Sequence, residues 1–238
     1  MTTPALVWIE RLDIDRDGQS TAQACVYKVE IKSKVYALKI FKFFDPAIAR
    51  YYWEPQLRNS VPLNEIIFYT DPFFAECRAY GRIKEALVTK GIREKLAVRC
   101  HGYLFLTRRD ERRLKRDGVS LGSRRLSEEL RPPLLDTTLV RALVEDFEPR
   151  PSGLNSKNIQ VYNGDVRGEN FRCGYLVDFG MSQTEPHCLL DALGEDQAEA
   201  KREEDMVMFD EAVMEDEVKT TVRTVLERRQ QPPRKGKR

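Results

Sequence analysis

Asp165, Asn170 and Asp178 are the residues of this chain best spaced to do chemistry together. They lie in Gly164-Asp165-Val166-Arg167-Gly168-Glu169-Asn170 and in Asp178-Phe179-Gly180, an acid, an amide five positions on, and a second acid past a short apolar run. Carboxylate and amide oxygens are hard ligands, suited to Mg2+ that also holds phosphate oxygens. Phosphoryl transfer needs the polyphosphate positioned, its charge neutralised and the acceptor hydroxyl aimed, with little covalent help. Asp165 is the candidate to orient or deprotonate the acceptor, with Arg167 as the cation of the same loop, and Asn170 and Asp178 are candidate metal ligands. Lys39 in Tyr36-Ala37-Leu38-Lys39 is the candidate cation for the α- and β-phosphates of ATP, and Glu76 the acid to hold it. Taken singly, each has a plainer reading: a surface acid, a turn amide, an exposed strand lysine. The ordered series favours the chemistry.

These residues need elements to carry them. Alternating apolar residues predict a first strand over 5–14 and a second over Ala24–Ile31, and after a turn at Ser33-Lys34 a third is expected over Val35–Phe41, an antiparallel meander with Lys39 on its third member. Residues 42–70, aromatic and broken by Pro46, Pro55 and Pro62, read as an insertion with a short helix. From Pro72, helical spacing places Phe73, Cys77, Tyr80 and Ile83 or Leu87 on one face and Glu76 off it. Strands are expected over Val98–Thr107 and Leu139–Phe147. Between them, Arg108–Arg131 holds nine basic and five acidic residues and reads as an exposed hairpin or disordered loop, the alternative being a phosphate- or acid-binding patch. Residues 149–158 read as irregular. Asn170-Phe171-Arg172 and Tyr175-Leu176-Val177 fit a hairpin turned at Cys173-Gly174, which would bring Asn170 and Asp178 to one side of a cleft. Asp191–Glu217 carries twelve acids against two bases, within a helical period expected over about 197–229, and a basic tail follows.

The composition narrows the class. A chain of 238 residues can build one large domain or two small lobes. A formal net charge of +2 argues against direct nucleic-acid binding through net charge. No apolar run is long enough to span a membrane. The five scattered cysteines and an N-terminus unlike a signal peptide point to an intracellular protein, nuclear or cytoplasmic. His101 beside Cys100, and His187 beside Cys188, lack the C-x-x-C spacing of a structural zinc site and read as ordinary partly buried side chains.

The pieces Val35–Phe41, Phe73–Arg82, Asp165–Asn170, Tyr175–Gly180 and Thr184–His187 resemble a eukaryotic protein-kinase-like domain. More narrowly, they resemble the fungal kinase-like proteins grouped with the Fta-type subunit of the kinetochore Sim complex. The resemblance implies an α+β, two-lobed protein-kinase-like fold with an antiparallel N-lobe sheet, one main helix and a shortened, mainly helical C-lobe. It implies an N-lobe over 1–147 with insertions at 42–70 and 108–135, a truncated C-lobe over 148–229 and a basic tail over 230–238. It implies Mg-ATP in the cleft, with Gly18, Val26 and Ala37 joining Lys39 and Glu76 around the nucleotide, and either a Ser/Thr protein substrate or a scaffold role in which a protein partner completes the C-lobe.

Four departures bear on activity. Asp17–Ala24 has one glycine, Gly18, where G-x-G-x-x-G is expected, so backbone approach to phosphates is poorer. Asn163-Gly164 precedes Asp165 in place of His-Arg. Little chain lies between Phe147 and Asp165 for a supporting helix. No Ala-Pro-Glu follows Gly180, and only 58 residues remain, too few for a full large lobe.

Overall fold

The computed structural model describes residues 5–13, 23–45, 53, 55–90, 97–122, 139–147, 159–167, 170–172 and 175–215. Its frame is a five-stranded sheet of β1 (Val7–Arg11), β2 (Ala24–Ile31), β3 (Lys34–Phe41), β4 (Cys100–Phe105) and β5 (Arg141–Asp146), in spatial order β1-β2-β3-β5-β4. Every neighbouring pair is antiparallel. The predicted strands are therefore present: β2 has the expected bounds, β3 starts one residue earlier, and β1, β4 and β5 are shorter than expected.

Period-two alternation sorts the side chains onto two faces. Cys25, Tyr27, Val29, Leu38, Ile40, Ala142 and Val144 fill the outer face. Ala24, Phe41 and Leu143 line the inner one. Because Val26 pairs with Lys39, and Lys28 with Ala37, the candidates Val26, Ala37 and Lys39 all project from the inner face. Leu143 sits opposite Lys39, and Glu145 opposite Ala37, so β5 contributes one apolar and one acidic neighbour to that face.

The inner face is covered by α3 (Pro72–Thr89), which follows α1 (Pro55–Ser60) and α2 (Leu63–Thr70). Among the described residues of the predicted insertion there are thus two helices, where a single short one was expected. Asp71 caps α3 by accepting from the Phe73 N–H at 2.9 Å, and Pro72 takes the first helical position, where no N–H is needed. The other Asp71 oxygen accepts from Arg141 Nη1 at 2.6 Å. This buried ion pair ties the start of α3 to the start of β5. Phe73, Ala79, Tyr80, Ile83 and Ala86 then pack beneath the sheet.

The outer face differs from the sequence expectation. Arg108–Arg116, read as hairpin or loop, is a helix, α4. Thr107 accepts from the Asp110 N–H at 3.3 Å, and Asp110 Oδ2 accepts from the Thr107 N–H at 3.0 Å, a reciprocal capping box. Leu114 is fully buried among Val119, Leu121, Leu106 and the outer strand residues. Six basic residues in nine obscured that one apolar anchor. The remainder of the expected insertion, 123–135, lies outside the described residues.

Beyond β5, β6 (Val161–Tyr162) pairs with β9 (Gln183–Thr184), and β7 (Phe171–Arg172) with β8 (Tyr175–Leu176). The predicted hairpin thus has Phe171 opposite Leu176, while its turn residues 173 and 174 lie outside the described residues. Two helices follow, α5 (Cys188–Asp191) and α6 (Glu195–Glu215). The expected helical region beyond 215, the basic tail, Gly18 and the irregular span 149–158 also fall outside. No helix among the described residues is long and apolar enough to cross a membrane.

Candidate functional site

Lys39 is 5% exposed on the inner face of β3. Its Nζ donates to Glu76 Oε1 and, at 2.9 Å, to Asp178 Oδ1. One amine therefore links a central strand, the main helix and the second acidic motif, across 37 and 139 residues of chain. Glu76 is fully buried, a correction to its expected place off the apolar face of α3. It stands there because Lys39 from the sheet and the Phe179 N–H, at 3.3 Å, both reach its Oε1. Tyr80, one turn on, donates its hydroxyl to Glu145 Oε1 at 2.7 Å and meets Phe179 edge-on at 5.3 Å. The Asp-Phe-Gly segment is thereby fixed at its acid, its amide and its ring.

The electrostatics follow from three carboxylates gathered around one ammonium. Burial works against the charge on Lys39, but Glu76, Asp178 and Glu145 outweigh it and hold the amine protonated above the usual lysine range. Burial also disfavours the Asp178 carboxylate, yet Lys39 and the Gly180 N–H, at 2.9 Å, pull its pKa below the ordinary value. Burial pushes Glu76 well up despite Lys39, so both partners of one ion pair shift upward, which favours the charge on the amine and disfavours it on the acid. A single ammonium cannot neutralise three acids. Lys39 remains charged and the excess falls on Glu76, whose Oε2 has no hydrogen-bond partner among the described residues.

The Asp165 loop is built on main-chain contacts. Asp165 accepts at its carbonyl from Asn170 Nδ2 at 2.7 Å, and at Oδ2 from the same amide at 3.1 Å. Its N–H donates to Asn163 Oδ1 at 2.9 Å, and Asn163 Nδ2 donates in turn to the carbonyl of Asp178. Asn163, where the sequence lacks a histidine, thus bridges the two acidic motifs. Gly164 takes φ 72°, a left-handed conformation that favours glycine. Arg167 donates to the Asp165 carboxylate through Nε at 2.8 Å. Asp205 of α6 accepts from the Asn163 and Gly164 N–H groups at 2.5 and 2.7 Å. Sequence reasoning missed Asp205, because one acid in a run of twelve carries no spacing signal.

The residues present suit a metal-bound polyphosphate. Lys39 and Gly180 both donate to Asp178 Oδ1, and Asn170 donates through Nδ2, which directs Asp178 Oδ2 and Asn170 Oδ1 to other partners. These two are oxygens of the hard kind that Mg2+ accepts together with phosphate and water. No group of three His, Cys, Asp or Glu among the described residues could hold a metal unaided. His101 Nε2 lies 2.7 Å from Asp146 Oδ1, and His187 Nδ1 accepts from the Leu189 N–H at 3.3 Å.

The class defined so far is an α+β protein whose antiparallel sheet and main helix bury a lysine–glutamate pair that is joined to a part-exposed aspartate. The family model described as kinetochore Sim4 complex subunit FTA2 matches residues 3–156, more than half of the 238, and the chain belongs to that family. The match includes Lys39, Glu76 and Glu145 and ends before Asp165. Comparison with curated proteins and with solved structures gives no match.

Proposed function

We propose that the protein is a kinase-like scaffold subunit of a kinetochore assembly, nuclear in location, that binds Mg-ATP between a sheet-rich lobe and a mainly helical lobe. The observation that carries the nucleotide reading is Lys39 held by both Glu76 and Asp178. In that reading Lys39 contacts the α- and β-phosphates, Val26 and Ala37 flank the base from the same sheet face, and Asn170 and Asp178 hold Mg2+. The metal would neutralise polyphosphate charge. A scaffold role is supported by the subunit family and by the single glycine in Asp17–Ala24. The subunit family also implies protein partners.

A second reading, phosphoryl transfer to a Ser/Thr protein substrate, is favoured by one feature. Asp165 is gripped by Asn163 and Asn170 through its main chain, while its carboxylate side chain stays 30% exposed beside Arg167.

A thermal-shift titration tests both. Mg-ATP at about ten times its Kd should stabilise the protein by about 1.4 kcal/mol, a rise of roughly 4 °C in Tm. Lys39→Ala and Asp178→Ala should abolish the shift. No shift at millimolar Mg-ATP leaves a scaffold without a nucleotide. Where binding is seen, Asp165→Asn should remove phosphate transfer and spare binding; equal transfer by variant and parent rejects Asp165 as catalytic.

A further inference from the structure

Helix α4 is absorbed by neither the nucleotide reading nor the scaffold reading. It carries Arg108, Arg109, Arg112, Arg113, Lys115 and Arg116 against Asp110 and Glu111, a local net of +4. At 3.6 residues per turn the six cations fall within an arc of about 160°, centred opposite Leu114. Leu114 is the residue sunk in the outer-face core, so the cationic arc is directed away from the sheet. Arg108, Arg109, Arg112, Lys115 and Arg116 are all exposed. Arg108 pairs with Glu111 at 3.4 Å, and Arg113 with Asp117 at 3.7 Å. Arg109, Arg112, Lys115 and Arg116 have no ion-pair partner among the described residues. Asp110 is turned inward, accepting from Thr107 and, at 3.3 Å, from Trp8 Nε1.

From this geometry we infer that the outward face of α4 binds the phosphate backbone of nucleic acid, without reading sequence. Arg109, Arg112 and Arg116 form a line at i, i+3 and i+7, about 10 Å long at 1.5 Å per residue. Duplex DNA carries one charge per about 1.7 Å, so roughly six phosphate charges face that length. Five of the six cations are arginine, whose planar fork matches phosphate oxygens. The arc contains no apolar side chain. A protein partner would need a buried aliphatic or aromatic anchor, whereas polyelectrolyte binding is driven by counterion release and needs none. The whole-chain charge of +2 conceals this patch, because α6 alone sets nine acids against two bases. The capping box keeps the line rigid before any ligand arrives.

The test is fluorescence anisotropy of the full chain with a labelled duplex of mixed sequence, read as a salt slope. Four neutralised phosphates give a slope of about −3.6, so raising salt from about 50 to 200 mM should weaken binding roughly 150-fold. Arg109→Ala/Arg112→Ala/Arg116→Ala should lower the slope to about −0.9 and the loss to roughly fourfold. The matching triple lysine variant should keep the parental slope, which separates charge from folding. A tail variant, Arg234→Ala/Lys235→Ala/Lys237→Ala/Arg238→Ala, should also retain it. Absence of binding at low salt overturns the inference. So does an unchanged slope in the triple alanine variant, a tail variant that removes binding, or polyglutamate competing as well as DNA at equal charge.

Discussion

His187 is 1% exposed as the N-cap of α5, packed against Tyr69 of α2. Its Nδ1 accepts the Leu189 N–H, and its ring lies edge-on to Tyr69 at 4.8 Å. Adding a proton to Nδ1 would set two donors against each other and place a cation near Arg78 in a dry site. Burial, then Arg78, depresses the pKa from 6.5 to about 4. The folded value lies below the unfolded one for a base, so the unfolded chain binds the proton more readily. The contribution is therefore complete above pH 6.5 and lost as pH falls toward 4. Integrating between those values gives a loss of about 2 kcal/mol from pH 7 to pH 5 and about 2.5 kcal/mol by pH 4.5. His187→Asn keeps an oxygen able to cap α5 and removes the titration. Urea unfolding of both proteins, followed by tryptophan fluorescence, should show their stability difference shrinking by about 2 kcal/mol between pH 7 and pH 5. Groups common to both cancel in that difference. A difference independent of pH, or a His187 resonance titrating near its ordinary value, refutes the reasoning.

Lys39→Met should cost about 3–5 kcal/mol by stranding buried Glu76, and pairing it with Glu76→Leu should recover most of that; strictly additive costs in denaturant unfolding would contradict the coupling. Asp205→Ala removes two charge-assisted hydrogen bonds from the Asn163-Gly164 turn, so amide hydrogen exchange there should speed roughly 100-fold, equivalent to about 3 kcal/mol. Leu114→Ala should cost about 3 kcal/mol by opening a cavity under α4, while Thr107→Ala should cost about 1 kcal/mol through the cap alone; calorimetry that ranks them the other way would refute the assignment of Leu114 as the anchor.

Much of the frame was legible because periodicity is local. Alternation marked β1 and β2, short apolar runs marked the other three strands of the sheet, and the apolar spacing after Pro72 marked α3. Five spaced residues, Lys39, Glu76, Asp165, Asn170 and Asp178, were legible as candidates because their chemical types are specific. Helix α4 was not, since one buried leucine among six cations leaves almost no apolar pattern; the Thr107–Asp110 capping box was the signal that could have revealed it.

The sequence by itself determined which groups could meet a phosphate and the order in which strands and the main helix appear. Only the tertiary structure decided that Lys39 meets both Glu76 and Asp178, that Asn163 ties one acidic motif to the other, and that Asp205 pins the Asn163-Gly164 turn. Strand pairing and helix packing bring together residues up to 139 positions apart, and burial then makes each charge depend on the partners it meets. Spacing along a chain records neither distance nor dielectric.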